Sequence, residues 1–333
     1  MLSIALISTI LVLYVSVFAF RVKGKWKRHL TTPGKHNGLD KRINLVLSLA
    51  SMVLVLRLLS YPLFYTALQS FVKDIEGAMC IYGVTEVLPC LCRFLEIIKP
   101  VAFFFIGGWL IFHSLTGSGK TRSLILHKLT FLLAVTLGIL VDSVGDLVFF
   151  LSMNSHTPVT CCTSNIDSPD RISAILSRYL LGHGYEQSLS LVYYLSNLSL
   201  LGAAGYLIQK KRLEKNVTHR KRSLGLVFLM GLVNLFLTGL ALLEVVGPGL
   251  MNLPHHHCPY CLLQYVPDAC LIIGLLILGT FGFGWAFGLE IIVRDKEMAG
   301  NLSGNLNKLY RFSFSCLSLS LLMVSVHLIL GGR

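Results

Sequence analysis

The chain has 333 residues, of which 54% are hydrophobic and only 14% are charged. Soluble domains carry about 25% charged residues, so the composition excludes an ordinary soluble enzyme. The formal net charge of +13 raises the question of a nucleic-acid partner, which the placement of the basic residues along the chain decides.

The apolar residues fall in long blocks, each close to the roughly 20 residues that cross a hydrocarbon core of ~30 Å. Backbone groups in lipid must be satisfied within their own segment, so each block is predicted to be a helix. The sequence therefore predicts an all-α, polytopic integral membrane protein with about eight transmembrane helices in one membrane domain, 1–333. The predicted spans, in chain order, are 3–20, 43–66, 97–116, 129–151, 188–208, 223–246, 269–293 and 312–330.

The basic residues are concentrated between alternate spans. Four predicted loops, at 21–42, 117–128, 209–222 and 294–311, hold 22 of the 29 Lys and Arg residues. Such an excess is typical of the cytoplasmic loops of membrane proteins, so both termini are predicted to be non-cytoplasmic. The basic charge then faces anionic lipid headgroups and not nucleic acid. We expect the protein to lie in a bacterial cytoplasmic (inner) membrane, with the lipid bilayer as its partner.

The opposite, outer loops are predicted at 67–96, 152–187 and 247–268, and they hold seven of the nine cysteines. Chance would not readily gather so many thiols on one side of a membrane, so sulfur chemistry is predicted on the extracytoplasmic face. The outer-loop cysteines are Cys80, Cys90, Cys92, Cys161, Cys162, Cys258 and Cys261.

The densest constellation is the run His255-His256-His257-Cys258-Pro259-Tyr260-Cys261 in the third outer loop. Three imidazoles and two thiols in so short a segment suit a borderline or soft metal, and the loops lack the oxygen ligands of a hard cation. We expect copper, zinc or another thiophilic ion. Cys80, the Cys90/Cys92 pair and the Cys161/Cys162 pair supply further thiolates if the loops converge. Binding or transfer of such an ion is the leading hypothesis.

A second hypothesis is thiol–disulfide exchange, because Cys258-Pro259-Tyr260-Cys261 resembles the active-site tetrapeptide of dithiol glutaredoxins. The chain is also similar to membrane thiol oxidoreductases of the DsbB and vitamin K epoxide reductase type. In those proteins an outer-face Cys-x-x-Cys lies beside an apolar helix, and a second cysteine pair lies in another loop. The resemblance implies Cys258 as the low-pKa thiol, Cys261 as its partner and a quinone as electron acceptor. The shuttle pair would be Cys90/Cys92 or Cys161/Cys162.

Two further readings stay open at the level of the sequence, which does not decide whether the chain is an enzyme. The cysteines can form disulfides that only staple the outer loops, as an oxidising compartment favours. The chain can also be a non-catalytic subunit whose outer loops dock an extracytoplasmic protein partner. No nucleotide is expected, because Ser114 stands where the phosphate-binding loop pattern ahead of Lys120 needs a glycine. No Cys-x-x-Cys-His occurs, so no c-type haem is expected.

Four ionisable residues, Arg57, Asp142, Asp146 and Glu244, lie in the outer halves of predicted spans. A charge inside a bilayer is expensive unless it is paired or hydrated, so these residues are functional candidates. Asp142 and Asp146 are one turn apart and share a helix face. One hypothesis is a structural bridge from Arg57 to either aspartate. The other is that Asp146 and Glu244 line a polar cavity below the cysteine loops and relay protons or guide a cation.

Overall fold

The computed structural model describes residues 2–29, 37–116, 122–154, 157–160, 162–209, 217–292 and 299–331. Within these ranges all regular structure is helical and no strand occurs. Eight of the described helices are long and apolar enough to cross a membrane, which confirms the prediction of an all-α, polytopic membrane protein. Their apolar segments are Ala5–Trp26, Lys41–Phe71, Pro89–Thr116, Leu124–Ser152, Tyr185–Gln209, His219–Met251, Ala269–Ile292 and Leu302–Leu330.

Short helices stand between several of the long ones, and one π-helical segment, Leu242–Val246, interrupts the sixth span. In chain order the α-helices are α1 (Leu2–His29), α2 (Asn37–Phe71), α3 (Ile81–Thr85), α4 (Pro89–Thr116), α5 (Arg122–Ser152), α6 (Cys162–Asn165), α7 (Ile172–Leu181), α8 (Tyr185–Gln209), α9 (Val217–Ala241), α10 (Gly247–Met251), α11 (Pro259–Tyr265), α12 (Ala269–Ile292) and α13 (Ala299–Gly331).

The third span begins earlier than the hydropathy pattern indicates, at Pro89 and not near residue 97. Proline is favourable in a first helical turn because its missing N–H would be unpaired there anyway. Charged residues in the opening turns of α4, Arg93 and Glu96, dilute the apolar signal and move the predicted start toward the C-terminus. Part of each of the four predicted basic loops lies outside the described residues, at 30–36, 117–121, 210–216 and 293–298.

The chain folds into two compact units, of which the first comprises the residues up to Ala78 together with Gly83–Val159. Its spans α1, α2, α4 and α5 each pack on their neighbours in sequence, and α1 also packs on α5, which closes a four-helix ring. The core residues recur every three or four positions, as the inward face of a helix requires. In α1 these residues are Val12, Val15, Ala19 and Val22.

The second unit comprises Met79–Tyr82 and the chain from Thr160 onward. Its spans α8, α9, α12 and α13 form a second ring by the same scheme, with α8 packed on α13. Close approach of α12 and α13 depends on small residues, because a Cβ on Gly279 would lie 2.6 Å from Cγ of Leu317. The short helices α6, α7, α10 and α11 all belong to this unit; α6 carries Cys162 and α11 carries Cys261.

Candidate metal centre

Four cysteines of the second unit bring their sulfur atoms together in one group, which we call the four-sulfur cluster. Its members are Cys80, Cys162, Cys258 and Cys261, and all four sulfurs lie within 4.8 Å of one another. The Sγ atoms of Cys80 and Cys258 are 3.9 Å apart, as are those of Cys162 and Cys261. Cysteines from three separate segments of the chain therefore converge, which sequence spacing alone does not reveal.

The Cys-Pro-Tyr-Cys segment is shaped by the start of α11. Cys258 is the N-cap residue of this helix, in an extended conformation, and Pro259 occupies its first helical position. The amide of Leu262 donates to the carbonyl of Cys258 at 3.1 Å and closes the first turn. Cys261 then follows Cys258 by three residues, so the two side chains lie on one face of the turn.

The other two cysteines come from short segments that are bound to each other. Cys162 opens the single turn α6, which the bond from the Ile166 amide to the Cys162 carbonyl closes at 2.7 Å. Cys80 directly precedes α3. Asn165 connects the two segments, since its amide nitrogen lies 3.4 Å from the hydroxyl of Tyr82. Cys161, the other member of the predicted vicinal pair, lies outside the described residues.

The sulfur–sulfur distances match those of a tetrahedral metal site. A zinc–thiolate bond of about 2.3 Å implies sulfur–sulfur edges of about 3.8 Å in a regular tetrahedron. Both of the pairs named above, at 3.9 Å, are close to that edge. A disulfide would need about 2.05 Å, and the described cysteines contain none. The cluster thus has the dimensions of a mononuclear site for one tetrahedral ion.

The cluster is enclosed by protein. Its four side chains are at most 6% exposed, and Tyr82, Ile166, Met251 and Tyr260 pack around them. Backbone N–H groups of Tyr82 and Cys261 donate to the sulfurs of Cys80 and Cys258, respectively. Such bonds orient thiolates and disperse their charge. All four positions are filled by protein sulfur, so no position is left open for an exchangeable ligand.

The cysteine thiols of the cluster differ in pKa. Hydrogen bonds from Cys258 and Cys261 lower the pKa of Cys80 to about 2, so its sulfur is the preferred thiolate. At Cys258 a hydrogen bond from Cys261 favours the thiolate, but the bond to Cys80 and burial raise the pKa to about 11. Hydrogen bonds to Cys258 and Cys80, followed by burial, raise the pKa of Cys261. A bound cation would displace the remaining protons.

The three histidines of the motif have other partners. Nδ1 of His256 lies 2.7 Å from Oδ2 of Asp167, and the backbone N–H of His257 donates to Oδ1 of the same carboxylate at 2.8 Å. The ring of His257 directs Nδ1 at the carbonyl of Leu243, 3.0 Å away. His255 is exposed. Among the described residues, the group with metal-ligand spacing consists of the four thiols.

The remaining outer-loop cysteines, Cys90 and Cys92, lie in the first turn of α4 and belong to the first unit. Cys90 is exposed, whereas Cys92 is buried and its sulfur lies 3.9 Å from Oε1 of Glu96. Two positions along a helix differ by about 200° in direction, so these side chains diverge. A Cys-x-Cys pair in a helix therefore does not direct both sulfurs at one ion.

Glu244 lies in the π-helical segment of the second unit and is 4% exposed. Arg171 holds both of its carboxylate oxygens, with distances of 2.8 Å from Nε and 2.6 Å from Nη2. The hydroxyl of Tyr185 donates to Oε2 at 2.6 Å. An open cavity of about 330 Å³ adjoins this carboxylate; its lining includes Glu186, Glu244, Val245, Pro248, Asn252 and Pro254.

In the first unit, Arg57, Asp142 and Asp146 form a buried quartet of charges with Lys99. Arg57 Nη2 lies 2.5 Å from Asp142 and 2.7 Å from Asp146. Lys99 Nζ lies 3.1 Å from Asp142 and 2.5 Å from Asp146. Two cations thus face two anions, and the quartet joins α2, α4 and α5.

Two partners of these sites, Asp167 and Arg171, were missed by the sequence reasoning. Both lie in the predicted loop 152–187, where a charged side chain normally needs no partner. The available signal was charge complementarity: Arg171 and Arg178 are the basic residues of that loop, and Glu244 needed a cation. Asp167 had no comparable signal, because one carboxylate in a polar loop is unremarkable.

No protein family model, curated protein or solved structure matches this chain.

Proposed function

We propose that this membrane protein binds one thiophilic metal ion, with zinc as the favoured occupant, at the four-sulfur cluster. The observation that supports the proposal is the pair of 3.9 Å sulfur–sulfur distances, close to the edge of a zinc tetrathiolate. Tetrahedral sulfur sets select zinc or iron over hard cations, and the compact spacing suits a single ion. Copper remains the alternative occupant.

Complete burial and full sulfur coordination suit an ion that stays bound, because catalytic zinc sites keep one position for water or substrate. The ion would hold the Cys80 segment, α6 and the start of α11 together. We further propose that the cluster lies on the extracytoplasmic side, as the distribution of basic residues indicates. Retention is thus favoured over transfer.

The test is elemental analysis of the full chain purified in nanodiscs. Wild-type protein is expected to carry about one zinc per chain, and cobalt(II) substitution should give the thiolate-to-metal charge-transfer bands of a tetrahedral site. The variant Cys258→Ser/Cys261→Ser should lose both signals. The matched control Cys90→Ser/Cys270→Ser alters two exposed cysteines and should keep them. Unchanged metal content in the first variant would rule the proposal out.

A second candidate is thiol–disulfide exchange, which is favoured by four thiols within 4.8 Å of one another. Two of the sulfur–sulfur distances, Cys80 to Cys258 and Cys162 to Cys261, are 3.9 Å. Each pair would need to approach by about 1.9 Å to bond. Forming one disulfide releases two electrons and two protons, which together reduce a quinone to a quinol. Differential alkylation of metal-free protein with and without quinone tests this function, which requires cysteines that cycle between the two states.

A further inference from the structure

One carbonyl of the π-helical segment Leu242–Val246 lacks a backbone hydrogen-bond donor because residue 248 is a proline. In the π pattern each carbonyl accepts from the amide five residues ahead, and the Gly247 amide indeed donates to Leu242. The carbonyl of Leu243 would then need the amide of residue 248, but proline has none. Leu243 is partly buried. A carbonyl shielded from water is costly without a donor, so a side chain that supplies one stabilises the segment.

The ring of His257 supplies that donor, with Nδ1 at 3.0 Å from the Leu243 carbonyl. If the segment were regular α-helix, Gly247 would serve Leu243, and the unserved carbonyl would move to Glu244. Proline thus leaves one carbonyl short in either register, and the position of the donor selects between them. His257 favours the π register because it serves Leu243.

His257 is in turn held by the cluster. It immediately precedes Cys258 in the chain, and its backbone N–H donates to Asp167 at 2.8 Å. Asp167 follows α6, the turn that carries Cys162. The ring is 9% exposed, so its position depends on the packing of these segments. A change that frees the segments of Cys258 or Cys162 to move therefore also frees the His257 ring, which donates to the Leu243 carbonyl.

We infer that His257 is a positioning residue that couples metal occupancy of the four-sulfur cluster to the register of the π-helical segment, and hence to Glu244 and its cavity. The inference rests on the proposed function. With metal bound, the segment is π-helical and Glu244 is paired with Arg171 and Tyr185. Without metal, His257 is released and the segment loses the bond that favours this register. The predicted second state is local, confined to the end of the sixth span.

Hydrogen exchange measured by mass spectrometry on the full chain tests the coupling. Peptides covering 242–252 should exchange roughly tenfold faster in metal-free than in zinc-loaded protein, as expected for the loss of one ordinary hydrogen bond. His257→Phe should exchange at the fast rate even when zinc-loaded, because it keeps a ring but lacks the donor. His257→Asn should restore slow exchange, since its amide nitrogen stands where Nδ1 stood. His255→Phe, an exposed control, should match wild type.

Two results would overturn the inference while leaving the proposed function intact. One is zinc-loaded and metal-free wild type with equal exchange at 242–252, despite altered exchange around Cys258. The other is loss of zinc from His257→Phe, which would make the imidazole part of the site itself. If wild-type protein held no metal at all, the proposed function would fail, and elemental analysis identifies that outcome before any exchange is measured.

Discussion

Asp167 uses both carboxylate oxygens to hold the segment that leads into the Cys-x-x-Cys turn. One oxygen accepts the backbone N–H of His257, and the other meets the ring of His256 at 2.7 Å. Both contacts are only partly exposed, with side-chain exposures of 15% and 16% for His256 and Asp167. Partial burial shields such bonds from water, so they can fix a ligand loop more firmly than a surface pair.

Removing this carboxylate should weaken metal retention. We expect Asp167→Ala to release zinc to a chromogenic chelator roughly 10–100 times faster than wild type, as for other groups that orient metal ligands. Asp167→Asn should fall between, because its carbonyl can still accept from the His257 amide while the contact with the His256 ring is weakened. Asp170→Ala is the control, since that side chain is 87% exposed. Equal release rates for Asp167→Ala and wild type would show that the Asp167 contacts with His256 and His257 are not needed for metal retention.

At this scale the sequence predicted which thiols come together better than it predicted the positions of the imidazoles. Cys80, Cys162, Cys258 and Cys261 were all among the predicted ligands, because their segregation in three loops is visible in one dimension. Which loops converge depends on tertiary packing, so the sequence ranked the adjacent histidines equally with the thiols. A histidine beside a cysteine can ligate or hydrogen-bond, and only the position of an acceptor such as Asp167 distinguishes the two.

Among the helices of the first unit, α2, α4 and α5 are joined by the charge quartet of Arg57, Lys99, Asp142 and Asp146. Its four side chains are at most 5% exposed, and the ammonium of Lys99 also lies 4.0 Å from the ring centre of Phe64. Arg57 and the two aspartates were predicted from their cost in lipid, as was a bridge between them. The double cation arises because Lys99 of α4, which packs against α5, contacts both aspartates.

Because the quartet is neutral as a whole, its response to substitution should depend on charge balance. Lys99→Met leaves an uncompensated anion and should lower the free energy of unfolding by about 3–5 kcal/mol. Adding Asp146→Asn restores neutrality around Arg57 and Asp142, so the double variant should be more stable than Lys99→Met alone. Lys73→Met, at an exposed position, serves as control. Unfolding in bicelles measures these differences; a double variant less stable than the single one would contradict the neutral-quartet explanation.

For the whole molecule, eight spans were predictable because lipid imposes length and apolarity on each segment independently of its neighbours. The grouping into two rings was not, since it depends on which helix faces meet. The direction of the chain across the bilayer is a proposal that depends on the basic residues. Of the 29 Lys and Arg residues, 22 lie in the four predicted cytoplasmic loops.

Reporter fusions test that direction. Alkaline phosphatase fused after Arg333 should be active, and green fluorescent protein at the same point should stay dark, because the C-terminus is expected outside the cytoplasm. Fusions after Lys211, in a predicted basic loop, should give the opposite pair of results. A fluorescent C-terminal fusion would reverse the assignment and move the four-sulfur cluster to the reducing side of the membrane.

The separation of the four sulfurs along the chain also has a consequence for biosynthesis. Cys80 precedes Cys258 by 178 residues, which at about 5–20 residues per second corresponds to roughly 10–35 s of translation. During that interval Cys80, later joined by Cys162, is an unshielded thiol that is open to oxidants and to mispairing. The cluster can be completed only once the ribosome has passed α11. A nascent chain that stalls earlier therefore keeps its reactive thiols exposed, where proteases and chaperones can recognise the incomplete fold.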